Sequence, residues 1–112
     1  MLGTEVAVLL DTFRRFIRRK ANANLRRLIE KIHAADLALL FRYFNEPEKS
    51  FVFALIRESE EVTGELLSEL DESIISELLS PLEPADVAAM LSDIGSDDVA
   101  DILNLLEDEK AQ

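Results

Sequence analysis

Apolar positions in this chain recur in one spacing: an apolar or small residue, two variable positions, an apolar pair, two variable positions, and a further apolar residue. Leu37/Leu40-Phe41/Phe44 fits it and Val52/Leu55-Ile56 fits part of it. Thr63/Leu66-Leu67/Leu70, Ile75/Leu78-Leu79/Leu82, Val87/Met90-Leu91/Ile94 and Val99/Ile102-Leu103/Leu106 complete the series. Residues three and four apart share a helix face, so each copy predicts one short amphipathic helix. The last four copies are offset by 12 residues each, which makes a two-helix unit of about 24 residues. Helices this short do not stand alone, and stacking them buries a continuous apolar ridge. The expected fold is all-α: a right-handed superhelix, or solenoid, of short helix pairs joined by tight turns.

Upstream of the repeats, residues 4–20 predict a helix with Val6, Leu9, Leu10, Phe13 and Ile17 on its apolar face and Thr4 at its start. Asn22 and Asn24 mark a break, and Asn24 is placed to cap a second helix, Leu25 to Ile32. Ala34-Ala35-Asp36 opens a third. Asn45-Glu46-Pro47-Glu48 combines a capping residue, an early proline and an acid in the first turn, a strong restart that leads to a helix ending near Glu58. Asp71 and Ser96 are further capping residues, Gly95 suits a helix end and Pro84 suits a first turn. The organisation expected is one compact domain, with residues 1–24 a basic helix and its connection and residues 25–112 the superhelix.

Composition supports the helical reading, with only 3 Gly and 3 Pro against 48% hydrophobic and 31% charged residues. The absence of cysteine excludes a disulfide framework, a thiolate metal site and a cysteine nucleophile. No apolar run approaches the roughly 20 residues that span a bilayer, so a soluble chain is expected. The tail Glu107-Asp108-Glu109-Lys110-Ala111-Gln112 does not cap a solenoid, which suggests that the natural chain continues.

Charge is strongly segregated within the formal total of -11. Residues 1–33 carry eight Lys or Arg against three acids, a net of +5, and residues 34–112 carry four against twenty, a net of -16. Phosphate would be repelled by such a body, which argues against nucleic acid as a partner. Cations or a basic partner surface are its natural counterparts. Arg14, Arg15, Arg18 and Arg19, with Lys20, form a basic end on the first helix. They complement the helix dipole as a solvated face, and they also suit an acidic partner surface or an anionic membrane.

In the last repeat, Asp97 and Asp101 lie four residues apart and share a helix face, with Asp98 beside them. Magnesium takes oxygen ligands, keeps several waters and is often held by one or two carboxylates, so this pair is a candidate site. The same acids also suit a first helical turn and a soluble outer surface. A calcium EF-hand is excluded: counting from Asp93, Asp98 stands where glycine is needed and Asn104 where glutamate is needed. His33 is the sole histidine and reads as a helix-junction residue. No catalytic triad, phosphate-binding glycine loop or zinc spacing is present, so an enzyme is not expected.

Ile32-His33-Ala34-Ala35-Asp36-Leu37 resembles the IHPAD-type opening segment of the cytoplasmic N-terminal domain of MgtE-type magnesium transporters, with Ala34 in place of the usual proline. Gly64-Glu65-Leu66-Leu67-Ser68-Glu69-Leu70 and Asp97-Asp98-Val99-Ala100-Asp101-Ile102-Leu103 resemble its later repeats. The likeness spans roughly residues 28–107. It implies a helical superhelix followed, in a full-length and dimeric protein, by paired CBS domains and a membrane pore. Residues 25–112 would be the N-domain-like part, on the cytoplasmic face of the membrane and reaching that membrane only through the pore domain. The resemblance further implies that Mg²⁺ binds between the acidic face and the CBS domains and closes the pore when abundant. Its metal-site positions fall on Glu65, Asp97 and Asp101, with Asp98 adjacent, and Mg²⁺ affinity in the domain alone would be weak. The alternative is a helical protein–protein interaction module of the flagellar motor-switch type, whose acids serve only as surface.

Overall fold

The computed structural model describes residues 4–91, and the last repeat copy, with Gly95 and Ser96, lies outside them. Among the described residues there are seven helices and no strand: α1 (Thr4–Arg19), α2 (Asn22–Lys31), α3 (Ala34–Phe41), α4 (Glu46–Ile56), α5 (Glu60–Glu69), α6 (Glu72–Leu79) and α7 (Pro84–Leu91). The all-α expectation is met. The repeat helices α3 to α7 are short, at 8 to 11 residues, as the repeat spacing requires, and their stability comes from the face they bury.

That face follows the repeat. Leu37, Leu40, Phe41 and Phe44 are buried, as are Val52, Leu55 and Ile56, then Thr63, Leu66, Leu67 and Leu70, then Ile75, Leu78 and Leu79, and then Val87. Leu82 and Met90 pack partly buried against the same core. In α4 the buried face is wider than the repeat and includes Phe53. The cause is position, because α4 packs against α1, α2, α5 and α6 and so is covered from several sides. The remaining principal contacts join α1 to α2 and α3, α3 to α5, and α5 to α7.

The helix starts show where local chemistry decides and where it does not. Asn45 caps α4 through a complete capping box: its side chain accepts from the Glu48 N–H at 2.9 Å, and the Glu48 carboxylate accepts from the Asn45 N–H at 2.8 Å. Ser59 caps α5 by accepting from the Val62 N–H at 3.3 Å. Asn24, by contrast, lies inside α2 and caps nothing. The chain reverses four residues earlier, where Lys20 adopts a positive φ of 54° and ends α1, so that Ala21 becomes the N-cap. Asp71 does occupy the N-cap of α6, but its side chain makes no capping bond. It accepts instead from Arg42, at 3.1 Å from Nη2.

The first helix is anchored in the same core. Phe13 is fully buried, with its ring 5.9 Å from that of Phe44, which in turn meets Phe41 edge-on at 5.3 Å. Phe16, which lies off the predicted apolar stripe, also packs partly buried against the core. Ser76 is a buried polar residue of α6 whose hydroxyl has no hydrogen-bond partner. Such a group costs about 1–3 kcal/mol when left unpaired, so α6 buries it at the expense of some stability.

Candidate functional site

The acidic candidates divide by location. Glu65 lies on α5, while Asp97, Asp98 and Asp101 lie outside the described residues. Helix α5 is held by its buried side. Leu66 and Leu67 enter the core, and the Thr63 hydroxyl bonds back to the carbonyls of Ile56 at 3.0 Å and Ser59 at 2.8 Å. This second bond pins the α4–α5 turn to the first turns of α5. The opposite side of the helix is therefore fixed outward, and it carries Glu61, Glu65 and Glu69, all exposed and spaced four residues apart.

None of these three carboxylates makes an ion pair among the described residues. Glu61 sits at the positive end of the α5 dipole, but Glu69 sits at the negative end, where a carboxylate is disfavoured. The stripe is thus a row of uncompensated charge. Among the described residues no group of three or more His, Cys, Asp or Glu is placed to hold a metal ion. A cation meeting this face would find single carboxylates one turn apart and would need further ligands from elsewhere. His33 is exposed at the N-cap of α3 and makes no side-chain capping bond there.

The basic residues are used very unevenly. Arg14 binds Glu48, with Nε 3.0 Å from Oε2, and also donates to the Tyr43 carbonyl at 2.9 Å. It thereby ties α1 to the α3–α4 turn, and the same Glu48 completes the capping box of α4. Arg15 pairs within its own helix with Asp11 at 3.0 Å. Arg18 and Arg19 are exposed and make no ion pair among the described residues.

Four further pairs join helices or the turns beside them: Arg26 to Glu58, Arg42 to Asp71, Lys49 to Glu77 and Arg57 to Asp86. In each, as in Arg14–Glu48, the base comes earlier in the chain and the acid about thirty residues later. Sequence reasoning missed these partnerships. The signal available was the order of charges, bases early and acids late, but the pairing needs the fold. The Arg26–Glu58 pair shifts the titration of both its members. Two charge-assisted bonds, at 2.7 and 3.0 Å, hold the Glu58 carboxyl below its ordinary value and raise that of Arg26.

Two grooves among the described residues are small. The groove beside Arg42 and Asp71 holds about 160 Å³ and that beside Lys49 and Glu77 about 240 Å³. Ligand pockets usually enclose roughly 300–1,000 Å³. Among the described residues, no helix is long and apolar enough to cross a membrane.

Compared with known proteins, residues 32–112 match the model of one family, the MgtE intracellular N domain. None of the curated proteins and none of the solved structures matches the chain.

Proposed function

The chain belongs to the MgtE intracellular N domain family, the N-terminal domain of a magnesium transporter family, and from that premise we propose that it is the magnesium-responsive regulatory domain of such a transporter. The observation that carries the proposal is the outward row Glu61, Glu65 and Glu69 on α5, carboxylates that no base neutralises among the described residues, within the residues the family model matches. Like charges facing a second acidic surface repel, and a divalent cation between them reverses the sign of that interaction. The counterpart surface is that of the CBS domains of the same protein, in a homodimer on the cytoplasmic side of the membrane.

Glu65 with Asp97 and Asp101, and Asp98 nearby, supply this domain's share of the ligands. The CBS domains supply the rest, so the domain alone binds Mg²⁺ weakly. Because the ion favours the closed arrangement over the open one, its concentration sets the balance between them. The contacts of α2 with α4, α3 with α5, α4 with α6 and α5 with α7 support a superhelical winding of the short helices.

The test is ion flux through a transporter that carries this domain with Asp97→Asn and Asp101→Asn together. Flux at low internal Mg²⁺ should be unchanged, and its suppression at high Mg²⁺ should weaken by about five- to hundredfold in the concentration required. Suppression at an unaltered concentration would remove these carboxylates from the sensor.

A further inference from the structure

The basic end of the molecule is left without a role by magnesium sensing. Residues 14–31 carry eight bases and one acid, Glu30. Three of those bases are committed: Arg14 to Glu48, Arg15 to Asp11 and Arg26 to Glu58. The other five, Arg18, Arg19, Lys20, Arg27 and Lys31, are exposed and make no ion pair among the described residues. All five lie on α1, α2 or the turn between them, and these two helices pack against each other. The uncommitted bases are therefore gathered on one helix pair, while the uncommitted acids of α5 lie on a helix that packs on α3, α4 and α7.

We propose that the exposed bases of the α1–α2 pair dock the domain on an anionic lipid surface, independently of any magnesium site. Two occupants have the right charge, the anionic leaflet and the acidic α5 face of a second copy, and magnitudes separate them. A base near an anionic leaflet favours binding by about fivefold without needing a partner in fixed geometry, so five together favour it by about three-thousandfold. An exposed ion pair contributes only about one- to fivefold, and each one requires its own matching geometry. The net charge of -11 opposes a second copy directly. On a membrane the repelled acids can face away, because the described residues span 38 × 29 × 25 Å and the screening length is about 8 Å at physiological salt. An intracellular domain of a transporter family has such a leaflet within reach.

The experiment is co-sedimentation of the 112-residue chain with vesicles of phosphatidylcholine alone or with about one-third phosphatidylglycerol, without Mg²⁺, at low and high salt. Binding should require the anionic lipid, weaken with salt, and fall by about a hundredfold in Arg18→Gln, Arg19→Gln, Lys20→Gln. Because these side chains are exposed, the variant should keep the parent's helical circular dichroism and melting curve. Neutralising Glu61, Glu65 and Glu69 to Gln should change binding no more than about twofold. Equal binding to both vesicle types overturns the proposal. So does an acid-neutralised variant that gains as much as the base-neutralised one loses, since net charge rather than a patch would then govern. Salt-sensitive dimerisation in sedimentation equilibrium, lost in the basic-site variant and without vesicle binding, would assign the bases to a second copy instead.

Discussion

Phe13→Ala should lower the stability of the whole described unit by about 3–5 kcal/mol, the usual cost of removing a buried aromatic ring. Phe13 is fully buried and its ring meets that of Phe44, which touches Phe41 in turn. Helix α1 precedes the residues that match the family, 32–112, so it could in principle be an appendage that melts alone. Its packing against α2, α3 and α4, and the Arg14–Glu48 pair, argue for one cooperative core. Urea denaturation followed by circular dichroism and by Tyr43 fluorescence checks this. Both probes should report one transition, shifted equally by the substitution. A separate early transition confined to part of the helical signal, with the main midpoint unmoved, would make α1 an independent unit.

Neighbouring positions on α5 should respond in opposite ways. Leu66→Ala should cost about 2–5 kcal/mol, since Leu66 is fully buried in the hydrophobic core and its loss leaves a cavity there. Glu65→Gln should leave stability within about 0.5 kcal/mol, because the side chain is exposed and unpaired among the described residues. Any effect it has should appear only with a divalent cation present. Thermal melts of both variants with and without Mg²⁺ measure this. A large stability loss in Glu65→Gln without Mg²⁺ would mean that the carboxylate is a structural group.

Much of this architecture was legible because the repeat spacing and the helix period describe the same physical fact. Leu66, Leu67, Ile75, Leu78 and Leu79 had to share faces, and they are buried together. The Asn45 capping box was equally readable, since all its parts lie within four residues. Asn24 was misread because a capping residue near a break is only a local preference. The reversal was decided by the backbone at Lys20, two residues away from the helix start at Asn22. Phe53 was missed because its burial depends on how many neighbours surround α4, which no local pattern encodes.

The candidate site was legible in a different sense. The likeness to MgtE N domains is matched by the family model over residues 32–112, and Glu65 lies on the outer face of a short helix. The ion pairs could not be read in advance. That Arg14 and Arg26 are committed, while Arg18, Arg19 and Lys20 have no ion pair among the described residues, depends on which acids the fold brings within reach. Charge order along the chain shows that bases and acids are segregated, and the fold decides which of them remain free.

The central claim, that this domain contributes carboxylates to a magnesium site, is tested most directly by backbone amide NMR of the chain titrated with Mg²⁺ and, at matched ionic strength, with Na⁺. The account predicts weak, saturable shifts confined to the surroundings of Glu65, Asp97 and Asp101, absent with sodium and lost in Asp97→Asn with Asp101→Asn. Diffuse shifts across the acidic surface that sodium reproduces would show general screening, and would contradict a localised contribution from these residues.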